Sequence, residues 1–561
     1  MKLFYFFLTV SVFTSAPLQA QTNYVANTAN SSSPGNNNTL VGPQAGNSGM
    51  SGINNSIIGC QAGYSLSSGT FNTALGYRAG YGVTTGGFNT MIGTNAGLNN
   101  TTGVENTFIG CNTGYYSGIG SKNTFVGFNS GQNVYDGSYN TYVGNTAGLS
   151  TRSGSNNAFV GYEAGYDNIS GSQNTFMGSG AGRYNSSGTY NTFVGYQAGA
   201  ANTTSGENTF VGYLSGYVNT SGTYNVFNGS RAGRYNTTGT NNVFLGYNAG
   251  YGNESGNANA FVGASAGYSN SSGTYNAFFG PFAGIGNTTG AYNSFVGAEA
   301  GRQNTTGGQN TSVGYQSGYN NSTGTNNTFL GYQAGRNVTT GSNNIIIGPT
   351  SGTAITDGSD NVLMGYNSQA EDGLHNATAI GSRARVAISN ALILGNEANV
   401  GIGTSAPATR LHVSSGQANQ SGFRLSDLTA ASPAQQSADA FLTVNDRGDV
   451  VKARYQLRIN DVSQWSDKVF SPTYQLRPLT DVATYVHQKG HLPGVPSAEQ
   501  IQKEGIDLVR MNSLLLEKVE ELTLYVIQLE KAGLDAKQRD NQQQERIGRL
   551  EKIVEQLLQK K

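Results

Sequence analysis

Tyrosine side chains recur at one position of a 17-residue repeat, directly after a repeated glycine. Examples are Tyr196, Tyr213, Tyr247 and Tyr332. We expect the chain to turn outward at this point, so that the rings face solvent. A tyrosine ring offers a rigid apolar face and a hydroxyl group, which suits stacking on sugars or on other proteins. These four tyrosines are the candidate surface-binding residues; the alternative is that their rings simply cover the repeat.

Side chains that could carry catalysis or hold a metal ion are sparse. His487 and His491 are four residues apart, but Gly490 and Pro493 interrupt the helix that would bring them together. No nucleophile elbow, phosphate-binding loop or His-Glu-x-x-His motif occurs in the sequence. We therefore expect no catalytic, cofactor or metal site and no enzymatic activity.

The tyrosines belong to a repeat of twenty copies. An asparagine recurs with a 17-residue period from Asn38 to Asn361, and a glycine follows it four residues later, from Gly42 to Gly365. The segment Asn191-Thr-Phe-Val-Gly is typical of a short strand bounded by turn residues. We expect the glycine to adopt a positive φ or to lie against neighbouring backbone. Such strict periodicity predicts a solenoid in which each repeat forms one rung that packs on its neighbours.

The residue types within a rung predict what holds the rungs together. The repeated asparagine never changes to aspartate or serine, which favours a ladder of amides along the solenoid. The middle strand residue is aromatic in 13 copies, as at Phe193, and its neighbours Thr192 and Val194 are β-branched. A strand that is apolar on both faces is expected to be buried on both. A narrow coil has only one interior, so we expect further copies of the chain to cover the other face; the alternative is a monomer wide enough to enclose the phenylalanines.

Charge is distributed unevenly along the chain. Between Gln21 and Ser368 there are 17 of the 62 charged residues, and the formal net charge of the whole chain is zero. The absence of a basic stripe argues against a nucleic-acid partner. Cys60 and Cys111 occupy the same repeat position three rungs apart, a predicted distance of roughly 14 Å, which is too long for a disulfide.

The amino-terminal residues resemble a secretory signal. Lys2 precedes an apolar run from Leu3 to Val12, and Ala20 is a small residue at a plausible cleavage position. The run is too short to span a membrane as a helix, and we expect no transmembrane segment in the mature chain. The predicted location is outside the cell, either at the cell surface in association with the outer membrane or free in the medium.

The period shortens after the main array. Asn376-Ala-Thr-Ala-Ile-Gly is followed, after a 14-residue step, by Asn390-Ala-Leu-Ile-Leu-Gly. This stretch resembles the head repeats of trimeric autotransporter adhesins, and the 17-residue copies resemble the same unit with a longer turn. The resemblance covers about residues 38–400. It implies a left-handed parallel β-roll, three chains side by side, and binding to host or matrix surfaces.

The carboxy-terminal part resembles other proteins. The segment from Asn399 to Val413 is similar to a junction in bacterial surface and phage tail-fibre-like proteins, and residues 455–510 are similar to the terminal modules of such fibres. Some of those modules are self-cleaving chaperones that use a Ser–Lys pair, but no pair in this sequence can be matched to it. Residues 511–561 show a heptad pattern, with Val519 and Val526 in one column and Leu515 in the other. β-branched residues in the first column favour a coiled coil of two helices, whereas the resemblance implies three. We expect three, because the helix is joined to a predicted trimer.

Together these patterns predict an exported, adhesin-like fibrous surface protein. Its partners would be its own copies and host or matrix surfaces or glycans. The alternative is a structural fibre or spacer that ends in a tail-fibre-like chaperone module, either self-cleaving or not. The predicted domains are a signal peptide (1–20), an N-terminal linker (21–37), a β-roll of 17-residue repeats (38–375), 14-residue repeats (376–400), a junction (401–454), a small α+β module (455–510) and a coiled coil (511–561).

Overall fold

The structure is a computed structural model of the single chain. It describes residues 35–417, 420–424, 426, 440–447, 449–454 and 465–560. The predicted signal peptide and most of the N-terminal linker lie outside these residues. The chain divides into two compact units, residues 1–423 and 424–561, which are described separately.

The first unit is a parallel β-solenoid with one short strand in each rung. Each three-residue strand pairs in parallel with the strand of the next rung, so that Thr192 lies opposite Thr209 and Phe193 opposite Phe210. This register confirms the predicted solenoid and its period. Its strands are β1 (Thr39–Val41), β2 (Ser56–Ile58), β3 (Thr73–Leu75), β4 (Thr90–Ile92), β5 (Thr107–Ile109), β6 (Thr124–Val126), β7 (Thr141–Val143), β8 (Ala158–Val160), β9 (Thr175–Met177), β10 (Thr192–Val194), β11 (Thr209–Val211), β12 (Val226–Asn228), β13 (Val243–Leu245), β14 (Ala260–Val262), β15 (Ala277–Phe279), β16 (Ser294–Val296), β17 (Thr311–Val313), β18 (Thr328–Leu330), β19 (Ile345–Ile347) and β20 (Val362–Met364).

Positions within a rung are numbered 1 to 17 from the repeated asparagine, so that Asn191 is at position 1 and Gly195 at position 5. Gly195 ends β10 with φ of 136°, and a Cβ there would overlap the carbonyl oxygen of Gly212 in the next rung. At position 9, Gly199 has φ of 58°, and its Cβ would lie 2.6 Å from the ring of Phe193. Both glycine columns are therefore required by backbone geometry and close packing, as the sequence predicts.

The aromatic side chains at position 3 fill the interior of the coil. Twelve successive rings from Phe108 to Phe295 are fully buried, with centroids 4.7–5.2 Å apart. The small residue at position 8, such as Ala198, is also buried and leaves room for the ring. Burial of each phenylalanine contributes about 1.5–3 kcal/mol.

The outer strand face has a different environment. Of the three strand positions, position 3 is enclosed, whereas positions 2 and 4 lie outside the coil and are partly exposed. Met177 and Leu330 at position 4 are examples of exposed apolar side chains. The coil is thus wide enough to enclose the phenylalanines, and it turns the other strand face outward. The expectation that further copies of the chain cover this outer face stays a prediction.

Two ladders of asparagine side chains run along the interior. At position 1, the Asn225 amide oxygen accepts a hydrogen bond from the Asn242 backbone N–H (3.0 Å), and the Asn225 amide nitrogen donates to the Gly239 carbonyl (2.8 Å). This is the predicted ladder. A second one, at position 12, links Asn236 to Asn219 through their side-chain amides at 2.8 Å. It extends over ten rungs, and its asparagines are Asn168, Asn185, Asn202, Asn219, Asn236, Asn253, Asn270, Asn287, Asn304 and Asn321.

The solenoid continues through the shorter repeats. Thr378 of β22 (Thr378–Ile380) pairs with Val362, and Leu392 of β24 (Leu392–Leu394) pairs with Thr378, which is a 14-residue step. A second short pair joins β21 (Gln369–Ala370) to β23 (Arg385–Val386). Beyond it, β25 (Val400–Ile402) pairs with β26 (Leu411–Val413).

The second unit contains a hairpin and helices. Strands β27 (Ala440–Val444) and β28 (Val450–Arg454) are antiparallel and fall in the predicted junction. The described part of the predicted module from residue 465 onward is helical, with a 3-10 helix (Ser466–Phe470), α1 (Leu479–Lys489) and α2 (Ala498–Glu504).

One long helix completes the second unit. Helix α3 (Leu508–Leu558) is capped at its N-terminus by Asp507, whose carboxylate accepts hydrogen bonds from two backbone N–H groups of the first turn. Its first half packs on the 3-10 helix, where Val469 is buried and Lys468 pairs with Glu517 at 3.0 Å. The Tyr525 hydroxyl donates to the Arg477 carbonyl at 2.6 Å.

Candidate functional site

The four candidate tyrosines lie on the outer surface of the solenoid, all at position 6. Tyr196, Tyr213, Tyr247 and Tyr332 are 46–53% exposed. Each follows the glycine that ends a strand, so the side chain projects away from the filled interior. Tyr196 and Tyr213 lie in adjacent rungs, with ring centroids 5.5 Å apart. The solenoid thus holds these exposed rings in one column along its length.

The tyrosine column at position 6 is not continuous. Tyr315 and Tyr332 form a second stacked pair with centroids 5.6 Å apart, but Tyr247 lies between Ser230 and Ala264 in the same column. The column therefore presents short aromatic strips, each one or two rungs long, separated by small residues.

One further member of this column is held by an acid. The Tyr162 hydroxyl donates a hydrogen bond to Glu163 at 2.8 Å. That hydrogen bond and the negative charge of Glu163 raise the pKa of Tyr162. Its hydroxyl is thus already engaged within its own rung.

A second row of exposed aromatic side chains lies at position 17, just before the repeated asparagine. Tyr275 and Tyr292 stack there with centroids 5.1 Å apart, and Phe71 and Phe88 stack at 4.9 Å. Residues at this position adopt a left-handed backbone conformation, with φ of 60° at Tyr292. The sequence interpretation missed this row, although aligning the repeats on the asparagine would show it.

Arginine and tyrosine side chains lie in neighbouring rungs at position 10, as at Tyr217, Arg234 and Tyr251. The Arg234 guanidinium carbon lies 5.9 Å from the Tyr217 ring centroid and 5.8 Å from that of Tyr251, in the rungs on either side. Arg234 also donates to the Tyr251 hydroxyl at 3.2 Å. These contacts are within the range of cation–π attraction. Tyrosine rings of the neighbouring rungs thus flank the Arg234 guanidinium.

The other candidate groups are not brought together. Cys60 and Cys111 are both free. Helix α1 ends at Lys489, with Gly490 in a left-handed conformation, so His487 and His491 do not share a helix. In the described ranges, no three His, Cys, Asp or Glu side chains are grouped in a way that could hold a metal ion.

In the part of the chain that the structure describes, no helix is both long enough and apolar enough to cross a membrane.

Comparisons with known proteins give no relative. No protein-family model, curated protein or solved structure matches the chain.

Proposed function

We propose that this chain is an exported fibrous surface protein that adheres through repeated side chains on its solenoid. The observation that supports this most is the exposed tyrosine column at position 6, represented by Tyr196, Tyr213, Tyr247 and Tyr332. A tyrosine ring offers an apolar face beside a hydroxyl group, and repetition of such rings on one scaffold favours many weak contacts. The signal-like start of the sequence supports export.

Adhesion of this kind is multivalent. Each aromatic strip would make a weak contact with a sugar ring or an apolar side chain of the target. Once one strip is bound, the others are held near the target at high effective concentration, and avidity rises with the number of rungs. The predicted targets are host or matrix proteins and glycans.

The test compares chains with five, ten and twenty rungs on cells, matrix proteins and glycan arrays. We expect binding to rise more steeply than the number of rungs. A full-length variant with Tyr196, Tyr213, Tyr247 and Tyr332 all changed to serine should bind more weakly, because serine keeps the hydroxyl and removes the ring. If no chain length binds above background, the adhesive function is wrong.

We further propose that the protein is a parallel homotrimer. Two exposed apolar surfaces support this. One is the outer strand face of the solenoid, which includes Met177 and Leu330. The other is the heptad stripe of α3, in which Leu515, Val519 and Leu522 are 49–61% exposed. Copies of the same chain would cover both, as the resemblance to trimeric adhesins implies. Light scattering that gives a monomer at micromolar concentration would contradict this proposal.

A structural spacer is the second candidate function. It is favoured by the contrast between the interior and the surface. The aromatic stack is uninterrupted from Phe108 to Phe295, whereas the tyrosine column at position 6 is broken over the same rungs. In this case the carboxy-terminal module would act as a chaperone for the fibre, with or without self-cleavage. The mass of the purified mature chain distinguishes a cleaved product from an intact one.

A further inference from the structure

The regular surface of the solenoid changes at position 13 over four successive rungs. Between Ser67 and Thr356 most rungs have serine or threonine at this position, and one isolated exception is Glu254. The four successive exceptions are Gly118, Tyr135, Arg152 and Ile169.

The usual hydroxyl at position 13 has a structural role that these four rungs give up. The Thr101 hydroxyl donates to the Gly118 carbonyl at 2.8 Å, and the pattern resumes where Ser186 donates to Thr203 at 3.0 Å. In the four rungs that lie between these two, the residue at position 13 has no hydroxyl near the backbone to make this bond. Four rungs therefore lose a hydrogen bond that contributes about 0.5–1.5 kcal/mol each elsewhere in the array.

The larger side chains that replace the hydroxyls border a cavity of about 470 Å³. One side consists of Tyr135, Arg152 and Ile169, all at position 13. The other side is formed at position 11, beginning with Tyr116 and ending with Asp167. The side chain between these columns, at position 12, points inward and closes the floor.

Two tyrosine rings border this cavity in defined positions. A Cβ on Gly118 would lie 2.6 Å from the Tyr135 ring, so the glycine makes room for that ring. Tyr115 packs edge-on against Tyr116, with ring centroids 4.6 Å apart. Tyr116 and Tyr135 remain 49% and 59% exposed. The Tyr135 ring therefore fits in this position only because the preceding rung has glycine at position 13.

The polar groups of the cavity can recognise hydroxyl groups. The Ser150 hydroxyl donates to one carboxylate oxygen of Asp167 at 3.1 Å, which leaves the other oxygen able to accept. Arg152 has no carboxylate within 4 Å among the described residues, so its guanidinium can donate outward. Asn133 adds an amide that can both donate and accept.

We propose that this cavity binds a neutral oligosaccharide of about two or three sugar rings. Tyrosine rings suit the C–H faces of sugars, and adjacent carboxylate, amide and guanidinium groups suit their hydroxyls. The volume lies within the usual range for small-ligand sites. The lining carries one positive charge, on Arg152, and one negative charge, on Asp167, so its net charge is zero, which suits an uncharged sugar. The proposal rests on the adhesive function and assigns it a specific sugar site apart from the tyrosine column at position 6.

The decisive variant restores the regular repeat. Tyr135→Thr, Arg152→Thr and Ile169→Thr together return position 13 to its common residue and can rebuild the hydroxyl hydrogen bonds, so this variant should fold at least as well as the natural chain. We expect the full-length natural protein to bind neutral oligosaccharides on a glycan array, and the triple variant to lose at least tenfold in affinity. Asp167→Asn should weaken the same binding. Tyr235→Ala, at the position of Tyr116 in a distant rung, is the matched control and should leave it unchanged.

The outcomes separate this site from the general adhesive function. If the triple variant binds neutral glycans as well as the natural protein, or if only acidic glycans bind, the proposed site is wrong. If the natural protein adheres to cells or matrix proteins but to no glycan, the site is again wrong while adhesion stands. If binding is lost only when the position 6 tyrosines are changed, adhesion is retained and this cavity is not its sugar site.

Discussion

At the scale of single residues, the position 5 glycines fix the path of every rung. Gly195 adopts φ of 136° and lies against the carbonyl of Gly212, so a side chain would add both backbone strain and a steric clash. Adjacent rungs can stack at the spacing of paired strands because no side chain stands between these two glycines.

Gly195→Val should therefore destabilise the solenoid by at least about 2 kcal/mol. The effect should be local, because rungs contact mainly their neighbours. Hydrogen exchange should show faster opening of the rungs around residue 195. Gly49→Val is the control, since a Cβ at Gly49 would meet only the Asn47 side chain at 3.9 Å. Equal exchange in the two variants would contradict the role assigned to position 5.

The buried asparagines at position 12 are a second residue-scale feature. Asn236 donates to the Asn219 amide oxygen at 2.8 Å, and its own oxygen accepts from Asn253 at 2.6 Å. Leu66, Val83 and Val338 occupy the same position in outer rungs. The position tolerates apolar residues, but within the ladder each asparagine depends on the next.

Asn236→Ala should lower the free energy of unfolding by about 1–3 kcal/mol, because the buried Asn219 amide oxygen loses its donor and the Asn253 amide keeps only its bond to the Gly256 carbonyl. Asn320→Ala removes a similar amide pair, Asn320 to Asn337 at 3.3 Å, where the pair is only partly buried. Water can replace that bond, so the control should change little. Chemical denaturation of both variants is the measurement, and a smaller loss for Asn236→Ala than for the control would oppose the ladder's role.

At the scale of elements, a carboxylate stabilises the rung at which the 17-residue repeats give way to the 14-residue repeats. Asp372 accepts hydrogen bonds from the Thr356 backbone N–H (2.6 Å) and hydroxyl and from the Asp357 backbone N–H (3.2 Å). Partial burial pushes its pKa upward, but these hydrogen bonds outweigh it and lower the pKa of Asp372 to about 2. The Asp372 carboxylate thus accepts hydrogen bonds from Thr356, the last threonine of the position 13 column.

This arrangement predicts acid sensitivity. The pKa of Asp372 is lower in the folded state than its ordinary value of 3.8, so the ionised form stabilises the fold above about pH 4. That contribution is lost as pH falls toward about 2. Between pH 5 and pH 2, the melting temperature of the natural chain should therefore fall more than that of Asp372→Asn. Parallel falls in the two proteins would show that Asp372 does not contribute. The effect should be small because the Asp372 side chain is only slightly buried and solvent screens its interactions.

At the scale of the whole molecule, the proposed trimer gives the two exposed apolar surfaces a common explanation. Rungs repeat so regularly that three solenoids could pair out of register by one rung with little change in contacts. The heptad helix α3 does not repeat with the solenoid, and it can align three chains before the rungs associate.

Removal of residues 511–561 should therefore reduce the yield of correctly assembled protein after refolding more than it lowers the melting temperature of trimers once formed. Refolding yield by size-exclusion chromatography with light scattering is the measurement. A variant with Leu515, Leu522 and Leu529 changed to serine keeps the chain length and should behave like the truncation. Equal yields with and without the tail would remove the proposed alignment role.

Much of the solenoid could be predicted from the sequence because every rung is held by the same interactions. Position 5 glycines, the asparagine ladder at position 1 and the 17-residue register are each visible as a periodic residue type, and the structure confirms them. The exposed tyrosines at position 6 were predictable for the same reason, since they follow a glycine that ends a strand.

Only the tertiary structure decided which strand face is inside. Alternation shows that Phe193 and Val194 face opposite ways, but both are apolar, so the pattern cannot tell interior from exterior; the width of the coil and the small residue at position 8 decide it. The position 12 ladder and the cavity beside Tyr135 depend on side chains one repeat apart in sequence becoming neighbours at about 4.8 Å. Such contacts arise from rung stacking, whereas the sequence determined the repeat that makes the rungs stack.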